Sequence, residues 1–154
     1  MRLLCWNTSD WKPRQDLPSQ WVNFLQAFPA ERRGRFIFYV DAHPSVECFS
    51  PDSRTRALVH AADLRVWDVT TGRLITNRRV GGKHFKDLAF TPDGKRLVTV
   101  SNDETVRLWD ASTWDEVGGF EWKIGKLGCV AVSPDGMRMA AGGHTGKVVV
   151  WDVD

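Results

Sequence analysis

From about residue 36 onward, apolar positions come in short runs separated by turn-forming clusters. Phe85–Phe90 predicts one short strand. Pro92-Asp93-Gly94 predicts a turn, because proline sets φ, aspartate bonds its own backbone and glycine accepts positive φ. Arg96–Val100 is rich in β-branched and aliphatic residues and has no helical period. Its apolar run is continuous rather than alternating, which suits a strand covered on both faces. Asn102-Asp103-Glu104 makes the next turn and Thr105–Trp109 a third strand. A fourth falls within Trp114–Trp122. The plan returns at Cys129–Val132, Arg138–Ala141 and Lys147–Trp151. Four short antiparallel strands in about 42 residues make one propeller-type blade.

The recurrence is regular. Trp-Asp stands at 67–68, 109–110 and 151–152, at equal intervals of 42 residues. Upstream of each lies a second shared string: FSPDSR at 49–54, FTPDGK at 90–95 and VSPDGM at 132–137. Two landmarks in register across three copies define an internal repeat. Copy one is one residue shorter, near Ala61-Ala62.

The spacing, the closing Trp-Asp and the Ser/Thr-Pro-Asp-Gly turn closely resemble the WD-repeat β-propellers. The resemblance covers about residues 36–154 and, weakly, residues 1–11, and it looks like that of a short or partial bacterial-type member. It implies an all-β fold of about three blades, with the ring incomplete in one chain. It also implies a hydrogen-bonded tetrad of Trp, Asp, Ser/Thr and His inside each blade. Copy two supplies Thr99, Asp103 and Trp109 at matching offsets. The histidine would fall at Gly81 and is missing. Copy three has Ala141 and Thr145 at those places and keeps Trp151. Copy one keeps Trp67.

Residues 1–35 read as a broken blade remnant followed by a Pro- and Trp-rich insertion, ahead of the three repeats of 36–154. Leu4-Cys5-Trp6-Asn7 lines up with Leu108-Trp109-Asp110, with a one-residue offset before Trp6. About 20 residues are inserted after Trp6, within 13–34. Either Ser19 caps a short helix to Phe28, with Trp21, Phe24, Leu25 and Phe28 on one face, or the segment is an apolar loop folded over the next blade. Propellers need four to eight blades, so this length does not close a ring alone. Two chains would close one, a larger partner would complete one, or the chain is a fragment of a longer propeller. Met1–Trp6 or Phe36–Val40 is then the strand expected to pair with the last blade of another copy.

Composition narrows the rest. The chain has 154 residues, 42% hydrophobic, with eight Trp and eight Phe, too many for a disordered chain. The net charge of +2 gives no argument for nucleic acid or a membrane surface. No apolar run approaches the roughly 18 residues of a membrane span. The start turns polar too soon for a secretory signal, so a cytoplasmic location is expected. Asn7-Thr8-Ser9 fits a glycosylation pattern that matters only in a secreted protein. Cys5, Cys48 and Cys129 show no zinc spacing and read as reduced thiols.

Catalytic motifs are absent: there is no GxSxG, HExxH, GxGxxG or EF-hand loop. Ala141–Val148 approaches a phosphate-cradling loop but joins two strands, and reads as a hairpin turn. His43 and His84 each stand six residues before a repeat's leading Phe, and Lys126 takes that place in copy three. A recurring position of this kind is structural or part of a partner face. His43, His84, Lys86 and Lys126 are therefore the candidate face, with no catalytic residue, metal or cofactor expected. Arg32-Arg33-Gly34-Arg35 and Arg78-Arg79 are too short for a nucleic-acid stripe. By resemblance the expected function is non-enzymatic: protein–protein interaction or scaffolding. The alternatives are a fragment without independent activity and, behind it, a propeller-type enzyme or small-ligand site on the ring axis.

Overall fold

Side chains alternate across a strand, so each repeat offers one apolar face to the sheet before it and one to the sheet after it. A computed structural model describes residues 36–40, 43–80 and 84–153, with side chains described from residue 45 onward. The readings made above for residues 1–35, including the helix to Phe28 and the Met1–Trp6 strand, lie outside the described residues.

The first sheet holds β1 (Phe36–Val40), β2 (His43–Phe49), β3 (Thr55–His60), β4 (Asp63–Asp68) and β5 (Leu74–Arg79). The second holds β6 (Phe85–Phe90), β7 (Arg96–Ser101), β8 (Thr105–Asp110) and β9 (Glu116–Glu121). The third holds β10 (Leu127–Val132), β11 (Arg138–Gly143) and β12 (Val148–Asp152). Within each sheet neighbours in sequence are neighbours in space, and every pairing is antiparallel. All regular structure among the described residues is strand, and the three sheets do not close a ring.

Two cores hold the stack together. Between the first and second sheets lie Val46, Cys48, Ala57, Val59, Leu64 and Val66, meeting Phe85, Leu88, Leu97 and Trp109. Between the second and third, Val98, Val100, Val106 and Leu108 meet Leu127, Val130, Met139 and Ala141. Strand β7 accounts for its own continuous apolar run: Leu97 points one way, Val98 the other, and Leu97–Ser101 are all buried. The buried Asp87 also crosses between sheets, its carboxylate accepting the Val130 N–H at 2.8 Å.

The turns repeat as well as the strands. In each Ser/Thr-Pro-Asp turn the hydroxyl of Ser50, Thr91 or Ser133 donates to the aspartate two residues on, at 2.5, 2.6 and 2.5 Å. Gly94 and Gly136 take φ of 71° and 73° there, and Ser53 takes 61° at the same place in copy one. The missing residue of copy one falls in the β3–β4 turn, which has Ala61-Ala62 where the β7–β8 turn has Asn102-Asp103-Glu104.

Phe36–Val40 is the edge strand of the first sheet, and its outer edge pairs with no strand among the described residues. It adds to its own sheet beside β2, with Phe36 opposite Glu47 and Val40 opposite His43. A short link between β1 and β2 makes this local pairing cheaper in loop entropy than any distant one.

Candidate functional site

Because the strands run up and down, the turns collect at two rims of the stack. The turns after β2, β4, β6, β8 and β10 share one rim, and those after β3, β5, β7, β9 and β11 share the other. We call these the first and second rims.

At the first rim, aspartates are spent on the turns. Asp52, Asp68, Asp93, Asp110 and Asp135 each accept a backbone N–H two or three residues on, at 2.7–3.0 Å. Hydrogen bonds from the neighbouring turn hydroxyls and amides hold all five carboxyls below the usual aspartate range.

Inside the second sheet the tetrad-like residues separate into two groups. The Trp109 indole N–H donates to Thr99 Oγ1 at 2.9 Å, both side chains being buried. Asp103 does not join them. Ser101 donates to it, as do Thr105 Oγ1 at 2.5 Å and Arg107 at 2.8 Å. The Arg107 guanidinium takes the Asp103 carboxylate. Burial opposes ionisation of Asp103. The hydrogen bonds from Arg107, Ser101 and Thr105, together with the Arg107 charge, outweigh it and hold the carboxyl well below its ordinary value.

The other two tryptophans lack a hydroxyl partner, as Leu58 and Ala141 stand where Thr99 does. Trp67 instead lies under the Arg56 guanidinium, 5.0 Å from the ring centre. Arg56 also pairs with the fully buried Glu47 at 2.6 Å. Burial raises the Glu47 carboxyl above the usual range, and the Arg56 charge and hydrogen bond offset this only in part. Trp151 packs against Trp122 and Phe120, with ring centres 5.5 and 6.0 Å away.

Of the candidate face, His43 is the first residue of β2, and its side chain lies outside the described set. His84 precedes β6, and its backbone exchanges hydrogen bonds with Asn102 on the β7–β8 turn. Lys86 lies one residue into β6 and is half-buried. Lys126 precedes β10 and is exposed. All four stand at the second-rim end of the inner strands. Strands β6 and β10 pack side by side, so His84, Lys86 and Lys126 share one stretch of rim.

Sequence reasoning missed Lys123, His144 and Lys147, which the structure sets beside Lys126. The His144 N–H donates to the Lys126 carbonyl at 2.9 Å, tying the β9–β10 and β11–β12 turns together. Only strand pairing reveals that proximity. The stretch Ala141–Val148 is the hairpin turn joining β11 to β12, with Gly146 at φ 78°. Among the described residues no three His, Cys, Asp or Glu side chains gather at metal-binding spacing, and no helix is long and apolar enough to cross a membrane.

Comparison with known proteins agrees with this architecture. Residues 79–110 and 124–152 match the family described as WD domain, G-beta repeat. WD repeat and SOCS box-containing protein 1 of Xenopus tropicalis is 34% identical over 97 residues, covering 59% of this chain and 22% of that protein. Protein groucho of Drosophila melanogaster is 29% identical over 106 residues, covering 67% of this chain and 14% of its own. The Denticleless protein homolog of Danio rerio is 37% identical over 67 residues, covering 43% and 10%. The chain thus spans a small part of the length of these relatives. They are animal proteins and lend the bacterial-type expectation no support. The copy around Trp67-Asp68 falls outside the two matched segments. That copy carries Glu47, Arg56 and Ser53 where the others have aliphatic residues and glycine, and it lacks one turn residue. Residues 79–110 and 124–152 thus match WD, G-beta repeats and are set in an all-β stack of propeller-type blades.

Proposed function

We propose that the chain is a non-enzymatic interaction or scaffold module that holds a protein partner on the second rim. The observation that carries this reading is the rim itself. Two apolar cores fix three sheets against one another, and that rigid base brings His84, Lys86 and Lys126 together at the second-rim ends of β6 and β10. Preorganised loops lose little entropy on binding, which favours recognition by a few anchors. The WD-repeat match supports the same reading by analogy of fold, which alone does not fix function.

We place the module in the cytoplasm and expect a second copy to complete the ring of the isolated chain. Val148 and Val150 on β12 are 64% and 61% exposed and offer an apolar face for it. Light scattering on the purified chain should then give a mass about twice 17.5 kDa. A second reading, that these blades belong to a longer propeller and have no activity alone, is favoured by the 22% share of the Xenopus relative.

Affinity capture with the whole chain, followed by reconstitution from purified parts, tests the interaction reading. A stoichiometric complex with one identified protein is expected. Specific turnover of a small substrate, abolished by His84→Ala or His43→Ala, would overturn it.

A further inference from the structure

The carboxylates of the two rims are held in different ways. At the first rim the turn aspartates are saturated by their own backbone. At the second, Asp63 is taken by Arg65 and Arg79, and Asp103 by Arg107. Lys86, Lys123, Lys126 and Lys147 form no ion pair among the described residues, and neither do Glu104 and Glu121, the other two carboxylates of this rim. Three of these lysines sit on two turns that are locked together. Besides the His144–Lys126 bond, Thr145 Oγ1 donates to the Ile124 carbonyl at 2.6 Å. Gly125, at φ 83°, leaves so little room that a Cβ there would meet Thr145 Cγ2 at 2.9 Å. The lysine stems are thus anchored on a fixed backbone rather than on a loose loop. The same β9–β10 turn begins at Trp122, whose indole N–H is buried without an acceptor.

Resting on the interaction-module reading above, we propose that Lys123, Lys126 and Lys147, with Lys86 beside them, receive an acidic segment of the protein partner. Glutamate- and aspartate-rich sequence supplies the complementary charge, and the locked turns set its path. The rim lysines act mainly on encounter and register, so the interaction weakens as salt rises.

A fluorescein-labelled Glu-rich peptide, titrated with the full chain and followed by anisotropy, tests this. Binding is expected at low salt and should fall steeply as salt is raised. The triple variant K123E/K126E/K147E should weaken it about 10-fold or more. The double variant R73E/K95E at the first rim should leave it within about 2-fold, because those charges lie at the other end of the strands. Thermal melts of both variants guard against unfolding, since all five positions are exposed. No peptide binding, or equal losses in both variants, would overturn the inference. A single-stranded oligonucleotide of equal length binding more tightly than the peptide would overturn it in favour of a nucleic-acid partner. A purified protein partner that binds wild type and triple variant alike would also overturn it, and would leave the scaffold reading standing. Turnover dependent on His84 would remove the scaffold reading itself.

Discussion

At the residue scale, Ser53 is the clearest place where copy one departs from its own pattern. It holds a φ of 61° that Gly94 and Gly136 supply in the other copies. A left-handed conformation costs a non-glycine residue about 1–2 kcal/mol, and glycine returns part of that as lost chain entropy. Ser53→Gly should therefore stabilise the protein by about 0.5–1 kcal/mol in urea denaturation. This irregularity was legible: the string FSPDSR shows serine at the glycine position before any coordinate is known. The partner of Asp103 was not. A tetrad needs a histidine, and its loss at Gly81 says only that something else must neutralise the acid. Arg107 does so because β8 places its guanidinium next to the turn that carries Asp103. Likewise Glu47 and Arg56 look like surface charges along the chain. The repeat sets them where Leu88 and Leu97 stand one copy later, but only the structure shows Glu47 buried there and paired with Arg56.

At the element scale, the strand plan of copies two and three was written in the apolar runs and turn residues. Strands β6 to β9 lie where Phe85–Phe90, Arg96–Val100, Thr105–Trp109 and Trp114–Trp122 placed them. Phe36–Val40 is a strand as expected, but its pairing with β2 was not legible, because such a run reports strand character without naming its mate. The two-sided burial of β7 gives a test. Leu97 is fully buried between the first two sheets, whereas Leu74 on the outer strand β5 is 46% exposed. Leu97→Ala should cost about 2–5 kcal/mol by transfer and cavity terms. Leu74→Ala should stay within about 0.5 kcal/mol. Comparable losses in chemical denaturation would mean that β7 is not sandwiched between two sheets.

At the scale of the whole molecule, the aspartates couple folding to acid. Asp52, Asp68, Asp93, Asp103, Asp110 and Asp135 all have carboxyls held below the unfolded value near 3.8. The folded state binds fewer protons there than the unfolded state. Their stabilisation is therefore complete above that value and is lost as pH falls through the folded values. Glu47 has the opposite sign, since its raised carboxyl lets stability decline as pH rises above its ordinary value of 4.5. Melting temperature should drop steeply below about pH 4. Asp103→Asn should flatten that acid limb and cost about 1.5–3 kcal/mol at neutral pH, through its charged hydrogen bonds to Arg107.

The two-rim arrangement also belongs to this scale, and it was only half legible. The recurrence of His43, His84 and Lys126 pointed to one end of the inner strands. The neighbourhood of Lys123 and Lys147 emerged only from sheet pairing. Lysine cross-linking with an identified partner, read by mass spectrometry, tests the central claim most directly, because both rims carry reactive lysines. The account predicts cross-links from Lys86, Lys123, Lys126 and Lys147, with Lys95 at the first rim silent. Cross-links concentrated at Lys95, with the second-rim lysines unmodified, would contradict it.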